Sequence, residues 1–174
     1  MTSSSDTYVT GLFPDRSSAE RAYESAHARG YDVGDVNMVM NDDTRRRHFG
    51  TTTETTELGT KAAEGAGIGG AIGGTVGAVA AAIAAVGTSL VLPGIGLVVA
   101  GPIAAAFAGA GAGGAAGGIV GALVGWGIPE ERVKQYDEGI KAGGILMGVK
   151  PRSSDDAELL ESDWRASNGT QVYR

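Results

Sequence analysis

Gly65-Ala-Gly-Ile-Gly-Gly-Ala-Ile-Gly-Gly-Thr-Val-Gly77 and Gly109-Ala-Gly-Ala-Gly-Gly-Ala-Ala-Gly-Gly-Ile-Val-Gly-Ala-Leu-Val-Gly125 are the passages around which the rest of the chain is arranged. Both lie in a stretch, Gly65 to Pro129, that contains no Asp, Glu, Lys, Arg or His. Glycine recurs at every fourth residue, at Gly65, Gly69, Gly73 and Gly77 and again at Gly109, Gly113, Gly117, Gly121 and Gly125; the first ladder continues as Ala81 and Ala85. A four-residue step returns to the same face of a helix, so each ladder predicts a groove free of side chains along one helix. Such grooves let two backbones approach closely in lipid or in a dry protein interior. The reading is a glycine-zipper helical hairpin, with the nine ladder glycines as its packing and oligomerisation residues.

The hairpin is not expected to stand alone in water. Fifteen glycines fall within the two passages, and at roughly 0.5–1 kcal/mol each relative to alanine they cost on the order of 10 kcal/mol of helix stability. Lipid or a partner helix has to offset that, which implies self-association, a bilayer, or both.

Working outward, Thr7-Tyr-Val-Thr-Gly-Leu-Phe13 reads as a strand closed by Pro14. A helix follows, with Ser17 and Glu20 as a capping box, Ala19, Ala22, Tyr23 and Ala26 as its apolar stripe, and Gly30 at its C-terminal cap. Asp35-Val-Asn-Met-Val-Met40 is a second strand. Beyond the apolar stretch, Pro129-Glu-Glu131 starts a helix in which Val133, Tyr136 and Ile140 share a face and Gly143-Gly144 ends it. Ile145 to Val149 is a strand, Ser153-Ser154 caps a helix lined by Ala157, Leu160 and Trp164, and Gln171-Val-Tyr173 is a final strand after Gly169. The order strand, Pro14, Arg16, Ser17, Ser18, helix, glycine, strand is echoed by strand, Pro151, Arg152, Ser153, Ser154, helix, glycine, strand.

Two β-α-β units of this length predict an α+β fold, a ferredoxin-like βαβ-βαβ sandwich of four antiparallel strands with helices on one face. A long Gly/Ala-rich antiparallel α-helical hairpin interrupts it. The expected divisions are 1–41 for the first half, 42–60 for a polar linker rich in Asp, Arg and Thr, 61–128 for the hairpin, and 129–174 for a helix plus the second half.

The opening Tyr8-Val-Thr-Gly-Leu-Phe-Pro-Asp-Arg-Ser-Ser-Ala-Glu-Arg-Ala-Tyr23 and the later Pro129-Glu-Glu-Arg-Val-Lys-Gln-Tyr-Asp-Glu-Gly-Ile-Lys-Ala-Gly-Gly-Ile-Leu-Met147 resemble bacterial general stress proteins with a heat-induced YflT-like domain. The resemblance covers the outer thirds of the chain. It implies a stress-associated, non-enzymatic protein in a bacterial cytoplasm or at its membrane, and it carries over no catalytic residue.

Composition narrows the function classes further. With 174 residues, a net charge of −6 and a pI near 4.9, a general nucleic-acid-binding role is not expected. No cysteine is present, which removes thiolate catalysis, disulfides and Cys-ligated zinc. Met1-Thr-Ser-Ser-Ser-Asp6 has neither a basic region nor an apolar core, so secretion is not expected and a cytoplasmic location is.

Candidate sites are few. Gly65 to Gly70 and Gly109 to Gly114 each satisfy G-x-G-x-x-G, but neither follows a buried strand nor precedes a ribose-binding acid, so composition accounts for both and no cofactor is expected. Arg45, Arg46 and Arg47 are candidate lipid-headgroup contacts, with a solvated linker as the plainer alternative. His27 and His48 are too isolated to make a metal set. Trp126 suits either a lipid interface or ordinary packing. Glu130-Glu131 and Asp155-Asp156 read as first-turn helix acids.

The expected function is that of a stress-associated structural protein, self-associating through the hairpin and associated with the membrane. The alternatives are a soluble particle or filament with the hairpins buried in its core, and a ligand-sensing ferredoxin-like module whose ligand the sequence does not name. Each arm is long enough to reach across a bilayer. Against spanning stands the turn, Leu90-Val-Leu-Pro-Gly-Ile-Gly-Leu-Val-Val99, the most apolar part of the stretch, where a spanning hairpin needs a polar one.

Overall fold

The computed structural model describes residues 8–49, 90–92, 96–104, 120, 123–124 and 126–174. In chain order these form β1 (Val9–Phe13), α1 (Arg16–Ala28), a 3₁₀ turn (Val33–Asp35), β2 (Val36–Asn41), α2 (Asp42–Phe49), β3 (Leu90–Leu92), β4 (Leu97–Ala100), α3 (Glu130–Lys141), β5 (Ile145–Val149), α4 (Ser154–Ala166) and β6 (Thr170–Tyr173). The strands make one six-stranded sheet in the order β3-β4-β2-β5-β1-β6. Every adjacent pair is antiparallel. β5 therefore lies between β1 and β2, and β1 lies between β5 and β6, so the two ends of the chain are interleaved rather than side by side.

The expected strands and the helices α1, α3 and α4 are present, with differences at their caps. Asp15, not Ser17, caps α1: its backbone is extended and its Oδ1 accepts the Ser18 N–H at 2.8 Å. The Ser17 hydroxyl donates to the same carboxylate at 2.7 Å, and the two hydrogen bonds hold the Asp15 pKa below its ordinary value. Glu20, expected to close a capping box, instead accepts from Arg16 at 2.6 Å. An aspartate next to Pro14 caps as well as a serine does and sits two residues nearer the strand. In α4 the cap is the expected Ser153, which accepts the Asp156 N–H at 3.1 Å.

Two regions depart from the sequence expectation. The polar linker of 42–60 begins as α2, because Asn41 accepts the Thr44 N–H through Oδ1 at 2.6 Å and donates through Nδ2 to the Ile140 carbonyl at 2.7 Å. Asp42 and Asp43 then occupy the first turn and Arg46, Arg47 and His48 the last, the polarity a helix dipole favours.

The apolar turn of the expected hairpin is no tip. Leu90–Leu92 and Leu97–Ala100 are paired strands, and Leu97–Ala100 runs beside β2 from Asn41↔Leu97 to Met38↔Ala100 with all four residues buried. The Asp42 N–H donates to the Gly96 carbonyl at 2.7 Å, and the Ile103 N–H donates to Asn37 Oδ1 at 2.8 Å. Gly101 makes the corner with φ +101°, where a Cβ would fall 2.4 Å from the Val36 carbonyl oxygen. Leucine and valine alternating on either side of Gly96 are strand chemistry, hidden by their uncharged surroundings. The division 61–128 as a single helical hairpin is corrected accordingly: Leu90–Leu92 and Leu97–Ala100 belong to the sheet. All nine ladder glycines and most of the proposed arms lie outside the described residues.

Alternation along each strand builds two cores. On one face Val9, Phe13, Met38 and Met147 meet α1 and α4, with Ala22, Tyr23, Leu160 and Trp164 at the centre. On the other, Leu12, Val39, Val99 and Leu146 meet Val133, Tyr136 and Ile140 of α3, joined by Ile103, Ala104, Leu123 and Trp126. Helices were expected on one face only; α3 lies on the face opposite α1 and α4. Its Gly139 permits that contact, since a Cβ there would sit 2.0 Å from a Leu12 methyl.

Candidate ligand cleft beside Trp126

The α3 face carries the more unusual chemistry. Thr10 of β1 pairs with Gly148 of β5 on one side and Tyr173 of β6 on the other. Gly148 leaves a notch in the sheet, and Trp126 fills it: a Cβ at Gly148 would lie 2.4 Å from both Cζ2 and Cη2 of the indole. Tyr8 meets the same ring edge-on, with centroids 5.6 Å apart and planes at 65°. The chain then turns at Gly127 and Ile128 and starts α3 at Pro129, with no side chain capping the helix. Between these parts is a cleft of about 300 Å³ lined by Tyr8, Thr10, Trp126, Gly127, Ile128, Pro129, Arg132 and Arg174.

Beneath it, Tyr136 donates to the Gln171 carbonyl at 2.8 Å, so the 2.8 Å bond between its hydroxyl and Thr10 Oγ1 has Thr10 as donor. Burial pushes the Tyr136 pKa up to about 12, against the smaller lowering effect of the Thr10 bond. Two groups at the cleft differ in how they are met. Arg174 is engaged by Glu158 at 2.8 Å and Glu161 at 3.1 Å. Arg132 stacks its guanidinium on the Tyr173 ring, 4.3 Å from the centroid, and has no carboxylate partner among the described residues. The Trp126 Nε1 is buried with no acceptor among the described residues, in contrast to Trp164, whose Nε1 donates to the Ala22 carbonyl at 3.1 Å.

Of the described residues singled out from sequence, Trp126 lines the cleft and the others do not. Arg45 and Arg46 both pair with Asp42, at 3.0 and 2.8 Å, and Arg47 donates to the Asp43 carbonyl at 3.2 Å. His27 stacks on Tyr23 with Nδ1 3.2 Å from the Tyr31 carbonyl oxygen, and the His48 carbonyl accepts from Arg16. Of the two readings of Trp126, packing is the one observed. Glu130, Glu131, Asp155 and Asp156 sit in first turns as expected, and Asp156 also accepts the Tyr31 hydroxyl.

Tyr8, Thr10, Arg132 and Tyr136 drew no attention as site residues in the sequence. Their common feature, a register that brings residues more than a hundred positions apart onto one face, has no local signature. Among the described residues no helix is long and apolar enough to cross a membrane, and no group of three or more His, Asp or Glu could hold a metal ion. Compared with known proteins, the chain matches no family model, no curated protein and no solved structure.

Proposed function

We propose that the chain is a non-enzymatic structural protein whose folded domain roots a Gly/Ala-rich insert and presents it for self-association. The observation that carries this reading is the pairing of β4 with β2, which ties the middle of the uncharged stretch to the sheet and divides its two glycine ladders into separate excursions. Ala104 and Leu123, on either side of most of the second ladder, both belong to the core on the α3 face. A stretch that short would have to leave and return, whereas one crossing of a bilayer core takes about 20 residues. We therefore place the second ladder in a protein core shared between copies rather than through a membrane, and extend that placement to the first by the likeness of the two ladders, with close backbone contact offsetting the helix cost of the glycines.

The strand order β2-β5-β1-β6, with α1 and α4 on one face, supports reading the domain as a ferredoxin-like sandwich to which β3, β4 and α3 are additions. The resemblance of residues 8–23 and 129–147 to general stress proteins supports a role under stress in a bacterial cytoplasm.

Expressing the full chain without detergent, fractionating it and sizing the supernatant tests the reading. A large monodisperse species that Gly73→Leu or Gly117→Leu dissociates, while Val79→Leu leaves it intact, is the expected result. A monomer overturns it, and recovery with membranes supports the bilayer alternative.

A further inference from the structure

The cleft beside Trp126 has the parts of a small-anion site, independently of how copies of the chain associate. Arg132 is the cation. It is half-buried, held by stacking on Tyr173 at 4.3 Å, and meets no carboxylate among the described residues, while its neighbour Arg174 is already engaged by Glu158 and Glu161. A guanidinium fixed by an aromatic ring keeps its fork of donors ready for a planar bidentate acceptor. Glu130 and Glu131, on the same turn of α3, are exposed and line no part of the cleft.

The second observation is the wall. Trp126 lines the cleft and is only 8% exposed, so its indole is a fixed surface rather than a swinging side chain. The same ring and Tyr8 supply apolar surface at the rim where α3 begins. At about 300 Å³ the space lies at the lower limit for small-molecule sites.

We propose that this cleft binds a small organic carboxylate with a flat or short apolar body, its carboxylate on Arg132 and its body against Trp126 and Tyr8. The step is binding alone; no group nearby is arranged to transform the ligand.

Titration calorimetry on the full chain tests it with benzoate as probe and benzamide as its neutral isostere. The expected result is saturable benzoate binding at one site per chain, with benzamide at least about tenfold weaker, a difference of roughly 1.4 kcal/mol. Arg132→Gln should weaken benzoate by a similar factor. Arg132→Lys, which keeps the charge but loses the fork, should fall between. Absence of saturable benzoate binding, equal affinity for benzamide, or unchanged affinity in a folded Arg132→Gln chain would each overturn the proposal.

Discussion

Each face of the sheet holds one tryptophan over one glycine, and the two are finished differently. Trp164 lies against Gly11, where a Cβ would meet its ring at 3.1 Å, packs edge-on to Phe13 at 5.6 Å, and donates its Nε1 to Ala22. Trp126 lies against Gly148, where a Cβ would meet its ring at 2.4 Å, packs edge-on to Tyr8 at 5.6 Å, and has no acceptor among the described residues. The α1 and α4 face joins two helices and a sheet around a tryptophan whose donor is met. The α3 face places Thr10, Trp126 and Arg132 around open space. A nearly identical aromatic-on-glycine device thus closes one face and leaves a binding surface on the other.

The largest test of that contrast is truncation. Trp164→Ala should cost about 3–5 kcal/mol, because it opens a central cavity and removes the indole's hydrogen bond to the Ala22 carbonyl. Trp126→Ala should cost at least about 1 kcal/mol less, having no hydrogen bond to lose. Urea unfolding of both variants decides it, and equal costs would show that the faces are equivalent.

Alkaline pH probes the polar network of the α3 face. Tyr136 ionises in the fold only near pH 12, against an ordinary value of 10.0. The folded state therefore favours the neutral phenol; this contribution is fully present below pH 10 and is lost as pH rises through 12. Over that window about 2–3 kcal/mol of stability should disappear. Tyr136→Phe should flatten most of the fall in melting temperature above pH 10. A residual slope should come from the opposite face, where burial raises the pKa values of Tyr23 and Tyr31 as well.

The glycines give a smaller effect. Gly148→Ala forces the indole out of its notch and should cost about 1–2 kcal/mol. Gly11→Ala asks its neighbours to give by only a few tenths of an ångström and should cost less; near-ultraviolet circular dichroism should report a displaced tryptophan in Gly148→Ala alone. Smallest are the charges. Asp163→Asn breaks a partly exposed 2.6 Å pair with Arg29 and should cost about 0.2–1 kcal/mol. Arg132→Gln, with no carboxylate to lose, should leave the unfolding midpoint within about 0.5 kcal/mol of wild type.

Much of the sheet was legible because its strands alternate and its helices carry 3.6-residue stripes: Val36, Met38 and Met40 share one face as read, and so do Val133, Tyr136 and Ile140. Gly30 and Gly143 end their helices with positive φ, as their positions predicted. Caps were less legible, since Asp15 and Ser17 are equally suitable by type and only geometry separates them. Leu97 to Val99 reads as part of the hairpin's turn because it sits midway along an uncharged stretch, whereas pairing with β2 makes it a strand. The cleft was invisible in sequence for another reason. Thr10, Trp126 and Arg132 become neighbours only through the placement of β5 between β1 and β2 and of α3 against the opposite face, and no motif encodes a long-range register.

That interleaving also dictates the timetable of folding. A nascent chain halted before Ile145 has β1 and β2 but not the strand that separates them, so β2 can pair only with β4 and β1 has no neighbour at all. Non-local pairing of this kind is slow to form. The glycine ladders therefore leave the ribosome while β5 and β6 are still unsynthesised, and any encounter between ladders of neighbouring chains begins ahead of the domain's completion.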